Sequence, residues 1–192
     1  MIAARDNVPG RGDCLALASS SPRRAKILRD LGVDFEVVKT DAREVSLPHD
    51  PRGTVLANAV AKLQAYGATG RRVLAADTIV WLYGKIYGKP SDLDEAKSFL
   101  RELSGRTHQV FTGVAYFDGE KLHTDVSVSN VAFKALSGAD IDGYIRLVNP
   151  IDRAGAYDID DFGPLLIARF EGEYENIMGL PIAPLRVWRI CD

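Results

Sequence analysis

The sequence predicts a mixed-sheet α/β fold, and three observations support this class. Strand-like and helix-like segments alternate over the first half of the chain. A hairpin pattern follows around Asp118-Gly119, with polar and apolar residues alternating in DVSVSNVAF. The chain has 192 residues, of which 46% are hydrophobic, and this is enough for a sizeable core. We therefore expect one domain over residues 14–192, preceded by a flexible extension at 1–13 that is rich in proline and glycine.

The first half of the chain predicts strands and helices in alternation. CLALA at 14–18 is a short buried strand, and a helix follows with Ser21 as N-cap, Pro22 at its first position and Gly32 past its end. The next segments are a strand (35–38), a helix over about 52–66 and the strand sequences VLAAD and TIVWLY, continuous or with a break.

The second half is predicted to mix turns, helices and a hairpin. GKIYGKP is rich in turn residues, and Ser91 with Asp94 resembles a capping box for a helix at 92–103. After the hairpin, Ser137 and Asp140 begin another helix, which Asn149-Pro150 ends. PLLIARF predicts a late strand, and residues 180–190 a last short helix.

Composition excludes several classes of function. The 24 Lys and Arg residues balance 26 Asp and Glu, so no overall field recruits nucleic acid or an anionic membrane. No apolar run approaches the roughly 20 residues that span a bilayer, and the N-terminus lacks the apolar core of a signal peptide. The two cysteines form no CxxC unit, and the three histidines lack ligand spacing. We expect a cytoplasmic protein whose chemistry depends on carboxylates, Arg, Lys and hydroxyls.

The stretch SSSPRR predicts an anion site at the start of the first helix. Arg23 and Arg24 lie in the first turn, where the helix dipole disfavours positive charge. Free backbone N–H groups and two guanidinium groups at that point suit a phosphate. The alternative is that both arginines are solvated or pair with nearby acids. GxxxxGK[ST] and GxGxxG patterns are absent from this stretch, so it is neither a P-loop nor a Rossmann fingerprint.

Two carboxylates are candidates for metal binding or catalysis. Asp77 in AADT follows a short apolar strand, and a strand end holds such a group rigidly. Glu44 in TDARE is a second carboxylate, and together they would suit Mg²⁺ bound to a phosphate chain. Taken alone, Asp77 is better explained as a strand-ending residue that caps the next turn.

Three further segments have weaker signals. Lys62 borders the apolar side of the second helix, where a lysine commonly extends toward solvent, and Lys89 precedes Pro90 in a rigid turn. YDIDDFG gathers Asp158, Asp160 and Asp161, which form either a solvated loop or a group that reads the edge of a base.

Together these stretches resemble the Maf family of nucleoside triphosphate pyrophosphatases. Its motifs recur in family order over nearly all of residues 15–188 as LASSSPRRAKIL, AKLQA, AADTIV, GKP, LSGRTHQVFTGVA, DRAGAY and EGEYENIMGLP. The resemblance implies a Maf/inosine-triphosphatase-like fold: a curved mixed sheet with flanking helices and a deep cleft between two lobes. It also implies hydrolysis between the α and β phosphates with Mg²⁺ or Mn²⁺.

The resemblance assigns expected roles to individual residues. Those matching the phosphate-binding motif are Ser19, Arg23 and Arg24. Glu44, Lys62, Asp77 and Lys89 match the family's catalytic positions, with Glu44 and Asp77 expected to bind metal and Asp77 to act as general base. Thr78 is expected to bind substrate beside Asp77.

One departure from the family pattern concerns the base. Where the family commonly has Gly-Ile-Gln-Gly after AGAY, this chain has Asp158-Ile159-Asp160-Asp161, and Asp160 replaces the Gln of the dTTP/UTP subgroup. A carboxylate accepts hydrogen bonds, so Asp160 also fits the donors of guanine in a 7-methyl-GTP pyrophosphatase. Other motifs resemble the dTTP/UTP subgroup, which we favour. Further alternatives are a nucleotide-binding regulator of septum formation and a phosphoprotein-binding module; a homodimer is a family-based expectation.

Overall fold

A seven-stranded open sheet organises the computed structural model, which describes residues 14–67 and 70–192. The strands are β1 (Leu15–Ala18), β2 (Phe35–Val38), β3 (Val73–Leu82), β4 (Lys85–Tyr87), β5 (Thr107–Phe117), β6 (Leu122–Phe133) and β7 (Ile167–Glu171). The helices are α1 (Pro22–Asp30), α2 (Pro51–Tyr66), α3 (Leu93–Leu103), α4 (Gly138–Leu147), α5 (Gly163–Leu166), α6 (Tyr174–Met178) and α7 (Ile182–Val187). A 3₁₀ turn covers Ala154–Ala156. The extension predicted at 1–13 lies outside the described residues.

Strand pairing confirms the predicted mixed sheet. The order is β2-β1-β3-β5-β6-β7, parallel among the first three strands and antiparallel from β3 onward. β4 is antiparallel to β3 and uses the same edge of β3 as β1. Pairing with β1 ends at Leu74 and pairing with β4 begins at Val80. Among the described residues, this edge of β3 is therefore open between those two positions.

Helices cover both faces of the sheet, because successive side chains of β3 point to opposite faces and are apolar on each. On one face, Ala59 and Leu63 of α2 pack against Val73 and Ala75. On the other, Leu28 of α1 and Leu185 of α7 belong to the cluster that contains Leu74 and Ala76. A third cluster joins α3 and α4 to the end of the sheet. The flanking helices predicted from the sequence are confirmed.

The structure corrects two local predictions and decides between the alternatives of a third. VLAAD and TIVWLY form one unbroken strand, which is one of the two alternatives, whereas the turn-rich GKIYGKP contains β4. PLLIARF begins as α5, since Phe162 adopts φ 56° and Pro164 starts a helical turn, and only then becomes β7. α6 was not predicted.

The N-cap of α3 also differs from the prediction, whereas that of α1 is the predicted residue. α3 is capped by Asp92, which accepts a hydrogen bond from the Glu95 amide at 2.8 Å, rather than by Ser91. The Glu95 carboxylate accepts from the Ser91 amide at 2.6 Å, one residue before the N-cap, so Asp92 and Glu95 take the roles predicted for Ser91 and Asp94. Ser21 is the N-cap of α1 but makes no side-chain capping bond. The predicted Ser137–Asp140 capping box of α4 is present.

Within the described ranges, 14–67 and 70–192, every helix is too short or too polar to cross a membrane.

Candidate active site

A large cavity opens beside the unpaired edge of β3. It has a volume of about 570 Å³ and is lined by the Ser20–Arg24 segment, the loop before α2, α2 itself, β3, and the segments around Lys89 and Asp158. Ligands bind α/β sheets where neighbouring strands diverge, because no strand fills the space at that point. The gap between β1 and β4 has this geometry, and Asp77 and Thr78 lie within it.

Lys62 joins the two predicted carboxylates. Its Nζ lies 2.6 Å from Asp77 Oδ1 and 2.8 Å from Glu44 Oε1. Asp77 is buried, whereas the Glu44 side chain is 59% exposed, so one carboxylate is fixed in the sheet and the other faces solvent. Asp77 lies in the middle of the ten-residue β3 rather than at a strand end, which corrects the prediction. The α2 side chains that contact it explain how a charge is tolerated there.

Asn58 holds the Glu44 loop and Asp77 together. Its amide nitrogen donates to Asp77 Oδ2 and to the Val45 carbonyl, both at 3.0 Å. Its amide oxygen accepts from the Val45 N–H at 2.8 Å. Asn58 is buried, and it lies four residues before Lys62 on the same helix face. It was not predicted from the sequence, although this spacing relative to Lys62 is a signal that points to it.

Arg24 is a buried cation bound by neutral groups. Its guanidinium donates to Ser19 Oγ at 2.9 Å, to Thr78 Oγ1 at 3.0 Å and to the Gly179 carbonyl at 2.7 Å. Burial lowers its pKa to about 10, and the nearby Asp77 acts in the opposite direction. The group is still protonated at neutral pH. Its positive charge therefore faces the cavity without a bonded carboxylate among the described residues.

Arg23 pairs with an acid, as the alternative interpretation of SSSPRR expects. Its Nη1 lies 3.1 Å from Asp158 Oδ2, and Arg153 Nη1 lies 2.6 Å from the same oxygen. The Asp158 side chain is only 3% exposed. This carboxylate offsets the unfavourable position of Arg23 in the first turn of α1. Arg23 nevertheless lines the cavity and so is available to a bound anion.

The remaining predicted residues lie in different surroundings. Lys89 is exposed and lines the cavity, and Ser19 lies in a smaller adjoining cavity. Asp160 lines neither cavity: it accepts from Tyr174 Oη at 3.1 Å and lies 3.7 Å from Lys26 Nζ. Asp158, two residues earlier in the chain, lines the first of these cavities instead. Contact between Asp160 and a base has no support from this position and stays a prediction.

The two carboxylates fit a divalent cation. Lys62 already shows that Asp77 and Glu44 oxygens converge on one positive charge. Among the described residues, no group of three or more His, Cys, Asp or Glu side chains could hold a metal ion. Mg²⁺ is commonly bound through one or two carboxylates together with water and substrate phosphates, so this donor set is compatible with it.

Comparison with known proteins identifies the family. The family model described as "Maf-like protein" matches residues 14–188. The chain belongs to the Maf family.

Curated relatives of this Maf-family chain have closely similar lengths. A dTTP/UTP pyrophosphatase of Thermotoga maritima is 38% identical, covering 91% of this chain and 86% of the relative. A dTTP/UTP pyrophosphatase of Bacillus cytotoxicus is 42% identical, covering 88% of this chain and 90% of the relative. Among solved structures, the Staphylococcus aureus Ham1 protein matches with a TM-score of 0.47 and 15% identity over 62% of this chain and 71% of that chain.

Proposed function

We propose that this chain is a nucleoside triphosphate pyrophosphatase that converts dTTP or UTP into the nucleoside monophosphate and pyrophosphate. The observation that carries the proposal is the carboxylate pair around Lys62. Beside it lie Arg24 and Lys89, two cations that have no carboxylate partner among the described residues. Relatives named dTTP/UTP pyrophosphatase support the substrate.

The proposed reaction is attack by water on the α phosphorus. The new bond joins the water oxygen to that phosphorus, and the bond to the oxygen that bridges the α and β phosphates breaks. Asp77, with Glu44 beside it, accepts the water proton, and the bridging oxygen leaves with its electron pair as part of pyrophosphate. Arg23, Arg24, Lys62 and Lys89 stabilise the charge that develops on the phosphate oxygens.

Asp77 and Glu44 are the residues that would hold Mg²⁺ or Mn²⁺. When bound, the cation supplies positive charge next to the phosphate chain. Lys62 keeps the two carboxylates in place, and Asn58 fixes the orientation of the Asp77 carboxylate through its second oxygen. This buried support holds the acceptor oxygen in position before substrate arrives.

The nucleoside is proposed to occupy the part of the large cavity whose lining is apolar. This lining includes Ile79, Val80, Ile86, Tyr157 and Met178. Asp158 also lines this cavity and could contact a base, but both of its carboxylate oxygens already accept hydrogen bonds or ion pairs. The homodimer and the cytoplasmic location stay predictions.

Substitution of Asp77 by Asn tests the proposed general base. The amide keeps the shape of the side chain but cannot accept the water proton, so we expect turnover of dTTP to fall by at least about a hundredfold. Asp125→Asn, which changes an exposed carboxylate on β6, is the matched control and should keep wild-type turnover. The measurement is release of pyrophosphate with Mg²⁺ and with Mn²⁺, on protein whose unfolding transition is checked.

The same assay with a panel of nucleotides tests the base. The proposal expects dTTP and UTP to be hydrolysed fastest. Faster turnover of 7-methyl-GTP would reject the dTTP/UTP assignment, and near-normal turnover by folded Asp77→Asn would reject the role of Asp77.

A further inference from the structure

A second cavity adjoins the first across a shared wall. It has a volume of about 400 Å³. The residues that line both cavities are Ser20, Ser21, Arg24, Glu44, Lys62 and Lys89. The second cavity extends from this wall toward Ser19 and toward Lys39 and Thr40, which follow β2. Asp77 lines only the first cavity, so the carboxylate pair stands at the boundary.

The lining of the second cavity suits phosphate and does not suit a base. Among the described residues that form it, the only apolar side chains are two alanines, Ala18 and Ala42. The others provide hydroxyl groups, four cations and the single carboxylate Glu44. A base is bound by stacking and apolar contact, whereas phosphate oxygens need hydroxyl, amide and cationic donors.

Of the four cations that line the second cavity, three form no ion pair with a carboxylate of the described residues. Lys62 bonds to both carboxylates, but Lys39 and Lys89 form no ion pair with any residue of the described parts of the chain. Within residues 14–67 and 70–192, the groups that bond to Arg24 are all neutral. Both lysines are exposed side chains, and they lie on separate loops at the cavity, one after β2 and the other after β4.

We propose that Lys39, which lies outside the family motifs, is a further phosphate contact: in the second cavity it binds the β and γ phosphates of the substrate and then the pyrophosphate product. This inference rests on the proposed function. It orders the substrate along the site: nucleoside in the first cavity, α phosphate at the shared wall, and the two distal phosphates in the second. Pyrophosphate then leaves from a cavity whose cations neutralise it, while the monophosphate stays in the first cavity.

Lys39→Gln tests the inference because it removes a charge that takes no part in the carboxylate pair. The first measurement is calorimetric titration with inorganic pyrophosphate in the presence of Mg²⁺, without nucleotide. We expect affinity to fall by about tenfold, as for the loss of one charge-assisted contact. The second is product inhibition, in which the inhibition constant for pyrophosphate rises by a similar factor and that for thymidine monophosphate does not change.

Lys26→Gln is the matched control. It makes the same change of charge on α1, at a lysine that pairs with Asp30 and lines neither cavity, and should leave both affinities unchanged. The inference is overturned if wild-type protein does not bind pyrophosphate, if Lys39→Gln binds it normally, or if this variant weakens monophosphate equally. Absence of triphosphate turnover in the wild type would reject the proposed function instead, and the calorimetry would still decide the cavity.

Discussion

Asn58 is the residue whose side chain connects the two halves of the carboxylate pair. It bonds to Asp77 directly and to the backbone of Val45, the neighbour of Glu44. Thr54, one turn earlier on α2, bonds to the Leu47 amide at 3.0 Å and holds the same loop. The irregular segment that carries Glu44 is thus bound to a regular helix, which limits its movement relative to β3.

Asn58→Asp should impair the enzyme through charge rather than through shape. The new carboxylate still accepts from the Val45 amide but faces Asp77 with a like charge instead of a donor. We expect kcat/KM at pH 7 to fall by about 10- to 100-fold. Because two like charges at this distance favour uptake of a proton, the acid limb of the pH–rate profile should move to higher pH. A loss confined to packing would leave the limb in place.

The control for this change is Asn149→Asp. Asn149 is exposed and its side-chain oxygen accepts from the Ile151 amide, a bond that a carboxylate preserves. Steady-state rates from pH 5 to 9 should show the wild-type profile for this variant. An unshifted acid limb in Asn58→Asp would contradict the electrostatic role.

At the scale of elements, the contact between α2 and the sheet determines where the proposed catalytic groups meet. Gly113 of β5 lies directly opposite Asp77 in the β3–β5 register. A Cβ at Gly113 would lie 2.5 Å from the Val55 carbonyl oxygen and 2.8 Å from the Leu56 amide nitrogen, both in the α2 backbone. The absence of a side chain at this position lets α2 approach closely enough for Asn58 and Lys62 to reach Asp77.

Gly113→Ala should therefore separate α2 from the sheet. Overpacking of this kind costs about 1–3 kcal/mol of unfolding free energy. Turnover should fall further than this loss of stability explains, because Asn58 and Lys62 move away from Asp77. The measurements are urea unfolding and turnover at a temperature where the variant is folded. Gly138→Ala, at the start of α4, where no atom of the described residues lies within 4 Å of the new Cβ, should leave both unchanged.

If Gly113→Ala lost stability but kept wild-type turnover, close approach of α2 would not be what aligns the site.

At the scale of the whole molecule, a buried imidazole links stability to pH. His108 lies in the core between Phe133 and Tyr157, and its Nε2 is 2.9 Å from Tyr157 Oη. Burial lowers the pKa of His108 to about 3. The unfolded chain therefore binds a proton that the native state does not between about pH 6.5 and pH 3. Stability from this residue is complete above pH 6.5 and declines as the pH falls through this range.

Replacement of His108 by Gln should weaken this pH dependence. The free energy of unfolding of the wild type should fall by about 2 kcal/mol between pH 7 and pH 5 on account of this one group, and the variant should lack that part. Urea unfolding at both pH values measures the difference. His49→Gln, a change at an exposed histidine, is the control and should keep the wild-type difference. Equal differences in His108→Gln and wild type would contradict the assignment.

Local sequence patterns were sufficient for the elements that carry the site. Ser21-Pro22 and Gly32 bound α1, and apolar runs mark β1 and β3, because caps, turns and periodicity depend on near neighbours. The same patterns failed at β4 and α6, which are short and depend on what they pack against. The family motifs also indicated the residues that meet around Lys62.

Long-range packing decided how those residues are paired. Arg23 meets Asp158 across 135 residues of chain, and Asn58 reaches Asp77 only because α2 lies against Gly113. Asp160, two positions from Asp158, faces away from the cavity because its carboxylate bonds to Tyr174 and lies beside Lys26. A local pattern shows that charges are present, but their partners follow from the sheet order and the open edge of β3, which form only when distant segments pack together.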